Sequence, residues 1–80
     1  MLFKQYDSVV LTSVPQLDAP EFLRHNLRLP RIGDVGVIIE VYSAPSLGYE
    51  VECSEVGTGI TQWMHTFDDV GLRNISCNAV

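Results

Sequence analysis

The sequence is short of several features, and each absence narrows what the protein can be. It has two cysteines, one tryptophan and five lysine or arginine residues in 80. No apolar run approaches the roughly 18 residues that a membrane-spanning helix needs. The first residues lack the basic start, apolar stretch and cleavage site of a signal peptide. We therefore expect a cytoplasmic protein without a membrane partner, in which Cys53 and Cys77 are reduced, small core residues rather than a disulfide.

The motifs of catalysis and metal binding are also missing. The histidines and cysteines show no Cys-x-x-Cys or His-x-x-x-His spacing, and no serine lies in a nucleophile elbow. Asp68 and Asp69 are adjacent, so their side chains diverge in a helical turn and suit capping better than paired acid–base chemistry. A barrel of this length offers little concave volume for a substrate. We predict a protein that is not an enzyme and has no metal or cofactor.

Basic residues are scarcest where acidic residues collect. The formal net charge is −5, and residues 36–80 hold six acids against one base, Arg73. An acidic surface repels phosphate backbones, so we expect no nucleic-acid partner. Four glutamates lie in or beside the predicted strands of this half: Glu40, Glu50, Glu52 and Glu55. They would steer the chain toward a basic protein partner.

Short apolar segments, in contrast, are plentiful. The sequence predicts strands over residues 8–14, 33–42, 49–53, 60–67 and 72–77, with turns rich in glycine, proline and aspartate between them. A period of two places Tyr49, Val51 and Cys53 on the inner face of the third strand. In the second strand, the same period places Val35, Val37, Ile39 and Val41 on one face. Ile38, Glu40 and Tyr42 then share the other face, which we expect to point outward.

Residues 15–32 have a different pattern. Asp18 to Glu21 form an Asp-x-x-Glu capping box with proline in the first turn, which predicts a helix start. A narrow apolar stripe follows and Pro30 ends it: Phe22, Leu23, Asn26 and Leu27. With a single helical turn at 68–71, the pattern predicts a mostly β fold, a five-stranded SH3-like barrel whose long first loop carries a short helix. Residues 1–80 would form one such domain.

Three segments in order carry a resemblance to a known family: GDVGVIIEVY at 33–42, GYEVE at 48–52 and DDVGLR at 68–73. The chain resembles a family of small bacterial proteins of unknown function with a GD-x-G-x-V-x-E-V-Y … GYEVEF … DLR pattern. The resemblance implies an SH3-like fold and a gene near toxin-like or plasmid-borne genes, and it brings no catalytic residue. Apart from the resemblance, Gly33 permits positive φ and Asp34 is suited to bond its own downstream backbone.

Several residues are candidates for partner binding. Trp63, with Tyr42 and Tyr49, fits either an aromatic groove for an extended peptide or, in the case of Trp63, the core. The near-helical spacing of three arginines fits either a shared partner or a solvated face, with Glu21 pairing to Arg24: Arg24, Arg28 and Arg31. An outward Ile38 beside Tyr42 would be buried by a second subunit, as in a homodimer, or by residues 15–32.

These residues favour a non-enzymatic protein-binding module. The family resemblance implies an antitoxin-like, immunity-like or accessory partner of a neighbouring gene product. Two alternatives stay open at the level of sequence. One is a small nucleic-acid-associated barrel that uses the arginine loop, and the other is a structural homo-oligomer.

Overall fold

The computed structural model describes residues 3–68 and 71–75. The strands are β1 (Ser8–Leu11), β2 (Val35–Tyr42), β3 (Gly48–Ser54), β4 (Thr61–Phe67) and β5 (Leu72–Asn74). They form one antiparallel sheet in the order β4-β3-β2-β1-β5, which curls into a half-barrel. One short helix, α1 (Ala19–Phe22), lies between β1 and β2. The predicted mostly β chain of five strands is confirmed. Cys77 and part of the predicted turn at 68–71 lie outside the described residues.

The core fills the inside of this curl. The register places Val51 opposite both Ile38 and His65, Tyr49 opposite Phe67, and Cys53 opposite Trp63. Within the described part of the chain, eleven apolar side chains are buried together: Phe3, Val9, Leu11, Phe22, Ile38, Tyr49, Val51, Cys53, Trp63, Phe67 and Leu72. Each large one contributes roughly 1.5–3 kcal/mol by leaving water. The predicted inward series on β3 is confirmed, since Tyr49, Val51 and Cys53 are all buried.

The predicted faces of β2 are wrong in its first half. Ile38 is fully buried, whereas Val35 is 50% exposed and Val37 is 38% exposed. The cause is a register shift between Ile38 and Glu40, which inserts one residue and reverses the alternation. Before the shift the even positions face inward, and after it Val41 packs against the core.

The N-terminal segment supports β2 at this irregularity. The backbone N–H of Tyr6 donates to the Ile38 carbonyl at 2.6 Å, and the Ile38 N–H donates to the Asp7 carbonyl at 2.9 Å. The side-chain amide of Gln5 donates to the Ile39 carbonyl at 3.0 Å. These bonds satisfy the backbone of β2 where its pairing with β3 is interrupted.

Helix α1 begins at the predicted cap. The Asp18 carboxylate accepts the Glu21 backbone N–H at 3.2 Å, and a proline occupies the first turn. Because the helix is a single turn, the predicted stripe is not formed as one face. Phe22 enters the core, while Leu23 and Leu27 remain exposed. In the described part of the chain, no helix has the length and apolar character to cross a membrane.

Residues 23–32, which we call the arm, leave the helix and run along the outer edge of β4. The Leu27 N–H donates to the Gln62 carbonyl at 2.9 Å. The Met64 N–H donates to Asn26 Oδ1 at 2.9 Å. The Asn26 side-chain amide also donates to the Phe22 carbonyl at 3.0 Å, so one side chain joins the helix, the arm and the sheet.

Candidate binding surface

The arm is fixed to the sheet by the carboxylate of Asp34, which directly precedes β2. Its Oδ2 accepts Arg28 Nη1 at 2.8 Å and Trp63 Nε1 at 2.9 Å, and its Oδ1 accepts Arg28 Nη2 at 3.1 Å. The Arg31 backbone N–H donates to the same carboxylate at 2.9 Å. The Asp34 side chain is 14% exposed. A two-pronged guanidinium contact of this kind fixes both position and orientation.

The local backbone explains why Asp34 points back toward the arm. Gly33 has a φ of +93°, which lets the chain reverse before β2. The Asp34 N–H donates to the Arg31 carbonyl at 3.0 Å, so the turn is closed from both sides. The sequence predicted a bond from Asp34 to its own downstream backbone, which is wrong. The Asp34 carboxylate instead accepts the backbone N–H of Arg31, which lies upstream, and its other partners are the side chains of Arg28 and Trp63.

Electrostatics keep this cluster in one charge state. Burial alone would raise the pKa of Asp34, but the hydrogen bonds from Arg28, Arg31 and Trp63 outweigh it and hold that pKa below its usual value. The hydrogen bond with Asp34 raises the pKa of Arg28 despite some desolvation. Burial, followed by the charge of Asp34, raises the pKa of the nearby Cys53 thiol. The cluster therefore holds an ion pair beside a thiol that is harder to deprotonate than a free cysteine.

Both terminal nitrogens of the Arg28 guanidinium have partners within the protein. Besides Asp34, the guanidinium donates to the Leu29 carbonyl at 3.0 Å and lies 3.8 Å from the Cys53 sulfur. Arg28 thus contacts the arm, the residue before β2 and β3, and Asp34 extends the cluster to Trp63 of β4. This arrangement suits the holding of a loop rather than the capture of a ligand. Within residues 3–68 and 71–75, no three His, Cys, Asp or Glu side chains are placed to hold a metal ion.

The outer side of the arm carries exposed aliphatic side chains, which we call the arm surface: Leu23, Leu27 and Leu29. They are between 38% and 66% exposed. With Arg28, Pro30 and Arg31 they line a shallow groove. Pro30 is buried. The groove is therefore lined mainly by apolar side chains, and the exposed Arg31 adds a cation to it.

The structure separates the predicted site residues into three groups. Trp63 and Ile38 are fully buried, and so is Tyr49. Consequently Trp63 and Tyr49 do not line a surface groove, and the predicted outward position of Ile38 is wrong because of the register shift in β2. Tyr42 is 40% exposed, and its hydroxyl donates to Glu50.

The three arginines do not form one face, because the helix ends at Phe22. Arg24 pairs with Glu21 at 3.2 Å, as predicted for that pair. Arg28 is bound to Asp34, and Arg31 is exposed at the border of the groove. Of the predicted arginine loop, the arm therefore brings Arg28 and Arg31 together around Asp34.

Sequence reasoning missed Asp34 as the organising residue. Its closest partner in sequence, Arg31, is joined through the backbone, and Trp63 is 29 positions away. The available signals were an aspartate after a glycine, a nearby arginine and a single tryptophan, whose indole N–H needs an acceptor when buried.

The chain matches no protein-family model, and comparison with curated proteins and with solved structures likewise gives no match. The family resemblance therefore stays a prediction.

Proposed function

We propose that the protein is a non-enzymatic protein-binding module, an SH3-like barrel whose long first loop carries a short helix and presents the arm surface to a partner. One observation carries this proposal. Three aliphatic side chains are held out in solvent by a loop whose backbone is fastened to the sheet through Asn26, Arg28 and Asp34. Exposed apolar groups on a fixed scaffold are typical of interaction sites.

The rigidity of the arm bears on affinity. Association is opposed by the ordering of loops and side chains, at about 0.5–1.5 kcal/mol for each immobilised side chain. A loop that is already ordered avoids much of that loss for its backbone. The leucines Leu23, Leu27 and Leu29 would then contribute the apolar area, and Arg31 would add a charged contact at the rim.

The strand order supports the SH3-like part of the proposal. A meander of β2, β3 and β4, with β1 joining β2 to β5, is the arrangement expected of such a barrel. The family resemblance supports a narrower version, in which the partner is the product of a neighbouring gene that this protein neutralises or assists.

Site-specific crosslinking tests the proposal. A photoreactive amino acid is placed at Leu27 in one protein and, as the matched control, at Val56 in another. Val56 is 97% exposed, lies in the turn between β3 and β4, and is not among the leucines of the arm surface. We expect a discrete protein adduct from the source-cell lysate at position 27 that is absent at position 56.

The partner identified by mass spectrometry is then purified and titrated. Leu27→Ser and Leu29→Ser should each weaken its binding about tenfold, the loss expected for 1.4 kcal/mol. Val56→Ser should leave binding unchanged. Equal adducts at both positions, or an affinity that ignores both leucines, would contradict the proposal.

A further inference from the structure

A second surface lies on the outer side of the sheet and extends over three strands. Because opposite residues share a face, the register places Val37, Glu52 and Met64 in one outward row. Val35 lies two positions before Val37 on the same side and is 50% exposed, and Met64 is 39% exposed. We call this the outer sheet face: Val35, Val37, Met64 and the glutamates Glu40, Glu50 and Glu52.

The arrangement of the glutamates on this face is electrostatically unfavourable. Glu40 lies directly opposite Glu50, a like-charge pair that destabilises a sheet. Their hydrogen-bond partners include hydroxyls: Glu50 accepts from Tyr42, and Glu52 accepts from Thr61 at 2.7 Å. Among the residues that the structure describes, none of the three forms an ion pair. Arg73 of β5 lies opposite Val10 of β1, which in turn lies opposite Val35. This arginine is therefore two strands away from Val35.

We propose that the outer sheet face docks a basic segment of another protein, one that carries aliphatic side chains between its lysines or arginines. The inference rests on the proposed protein-binding role and adds a second contact surface to it. The segment's aliphatic groups would cover Val35, Val37 and Met64. Its cations would lie beside Glu50 and Glu52 and relieve the repulsion between Glu40 and Glu50.

Charge selects this occupant over the alternatives. A second copy of the chain carries the same face and the same net charge of −5, so face-to-face pairing would bring the glutamates together. Nucleic acid is excluded from this face by the same sign of charge. A basic segment is the occupant for which both the apolar and the acidic parts of the face are complementary.

A pair of synthetic peptides tests the inference. In Val-Ser-Lys-Ser-Val-Ser-Lys-Ser-Val, an extended chain presents valine and lysine together on one side. The control peptide has glutamate in place of lysine. Each is titrated into isotope-labelled protein while backbone amide shifts are recorded. We expect saturable shifts centred on Val37, Glu52 and Met64 with the lysine peptide and none with the glutamate peptide.

Charge-removing variants distinguish binding at the outer sheet face from a general effect of the protein's net charge. Glu50→Gln with Glu52→Gln keeps the side-chain shape and removes two charges from the face. Glu21→Gln with Glu55→Gln removes two charges from outside it and leaves the same net charge. The first pair should weaken binding about tenfold and the second less than about twofold. Val37→Ser should weaken binding as well.

Four results would overturn the inference: equal losses in the two double variants, shifts centred on the arm surface, no shifts at millimolar peptide, or a wild-type dimer that Val37→Ser dissociates. The crosslink at Leu27 is independent of all four. A failed peptide titration with a specific crosslink would remove the outer-face site alone, whereas loss of the crosslink with intact peptide binding would remove the arm surface alone.

Discussion

At the scale of single residues, the organisation of the protein depends most on one carboxylate. Asp34 is bonded by the guanidinium of Arg28, the indole of Trp63 and the backbone of Arg31. Two of these groups belong to the arm and one to the core. Loss of the Asp34 charge would leave the Arg28 guanidinium without its counter-ion and the indole N–H with a weaker acceptor.

Asp34→Asn should therefore lower the free energy of unfolding by about 2–3 kcal/mol, because hydrogen bonds to charged groups contribute roughly 1.5–3 kcal/mol. Chemical denaturation followed by circular dichroism measures it. Glu21→Gln is the control: it breaks an ion pair whose side chains are 71% and 62% exposed, and should change stability by less than about 0.5 kcal/mol. Equal effects of the two substitutions would show that Asp34 is not a fastening point.

His65 makes stability depend on pH. It lies half-buried and edge-on to Phe22 and Phe67, with ring centroids 5.6 Å and 5.0 Å away, and burial lowers its pKa below the ordinary 6.5. Since the unfolded chain then binds the proton more readily, stability should be complete above about pH 6.5 and fall as the pH drops toward the folded pKa. The lowered pKa of Asp34 acts in the same direction, but below its ordinary value of 3.8.

Denaturation curves between about pH 7.5 and pH 5 check this expectation. His65→Leu should remove the loss of stability in that interval. His25→Leu, which alters an exposed histidine outside the core, should retain it. A wild-type protein that is equally stable across the interval would contradict the assignment to His65.

At the scale of the elements, β2 shows both the reach and the limit of sequence patterns. The strand was predicted from its β-branched residues, but apolar side chains occupy both of its faces, so no period of two could fix which face is inside. The inserted residue near Ile39 is a property of pairing with β3 and with the N-terminal segment. In β3, where glutamates alternate cleanly with apolar residues, the predicted faces are correct.

Gly36, in the first half of β2, is packed closely against β3. A Cβ there would lie 2.6 Å from Val51 Cγ1 and 2.8 Å from the Glu52 carbonyl oxygen. Gly36→Ala should destabilise the protein by about 1–3 kcal/mol, although alanine is the better strand residue. Thermal or chemical unfolding measures the loss.

Adding Val51→Ala tests the cause, because it removes the side chain that the new methyl group meets. The double variant should be less destabilised than the sum of the two single variants. Strict additivity would mean that the contact with Val51 is not the source of the loss.

At the scale of the whole molecule, the net charge and the burial of apolar side chains determine which partners the protein can bind. The mostly β fold, the capped first turn and the buried Cys53 follow from composition and spacing. The position of Trp63 does not, because the sequence left open whether it lies in a surface groove or in the core, where the structure places it. The Asp34 cluster and the arm surface do not follow either, since both depend on contacts between segments far apart in sequence. The three arginines that pointed to a shared face are distributed among Glu21, Asp34 and solvent.

That distribution sharpens the expectation for nucleic acid. With a net charge of −5 and Arg28 bound to Asp34, random duplex DNA or RNA should not bind near physiological salt. Fluorescence anisotropy with labelled duplexes at about 150 mM salt checks this. Micromolar binding that weakens with added salt and is lost in Arg31→Ala would contradict it.

The bonds that Asn26 and Leu27 make with β4 have a consequence for solubility. β4 is the last strand on its side of the sheet, and an uncovered last strand is a template on which another chain can add. By occupying the Met64 N–H and the Gln62 carbonyl, the arm removes hydrogen-bonding groups that a growing fibril would use. Displacing the arm from β4 would therefore leave these groups open to pairing with a strand of another chain and favour aggregation.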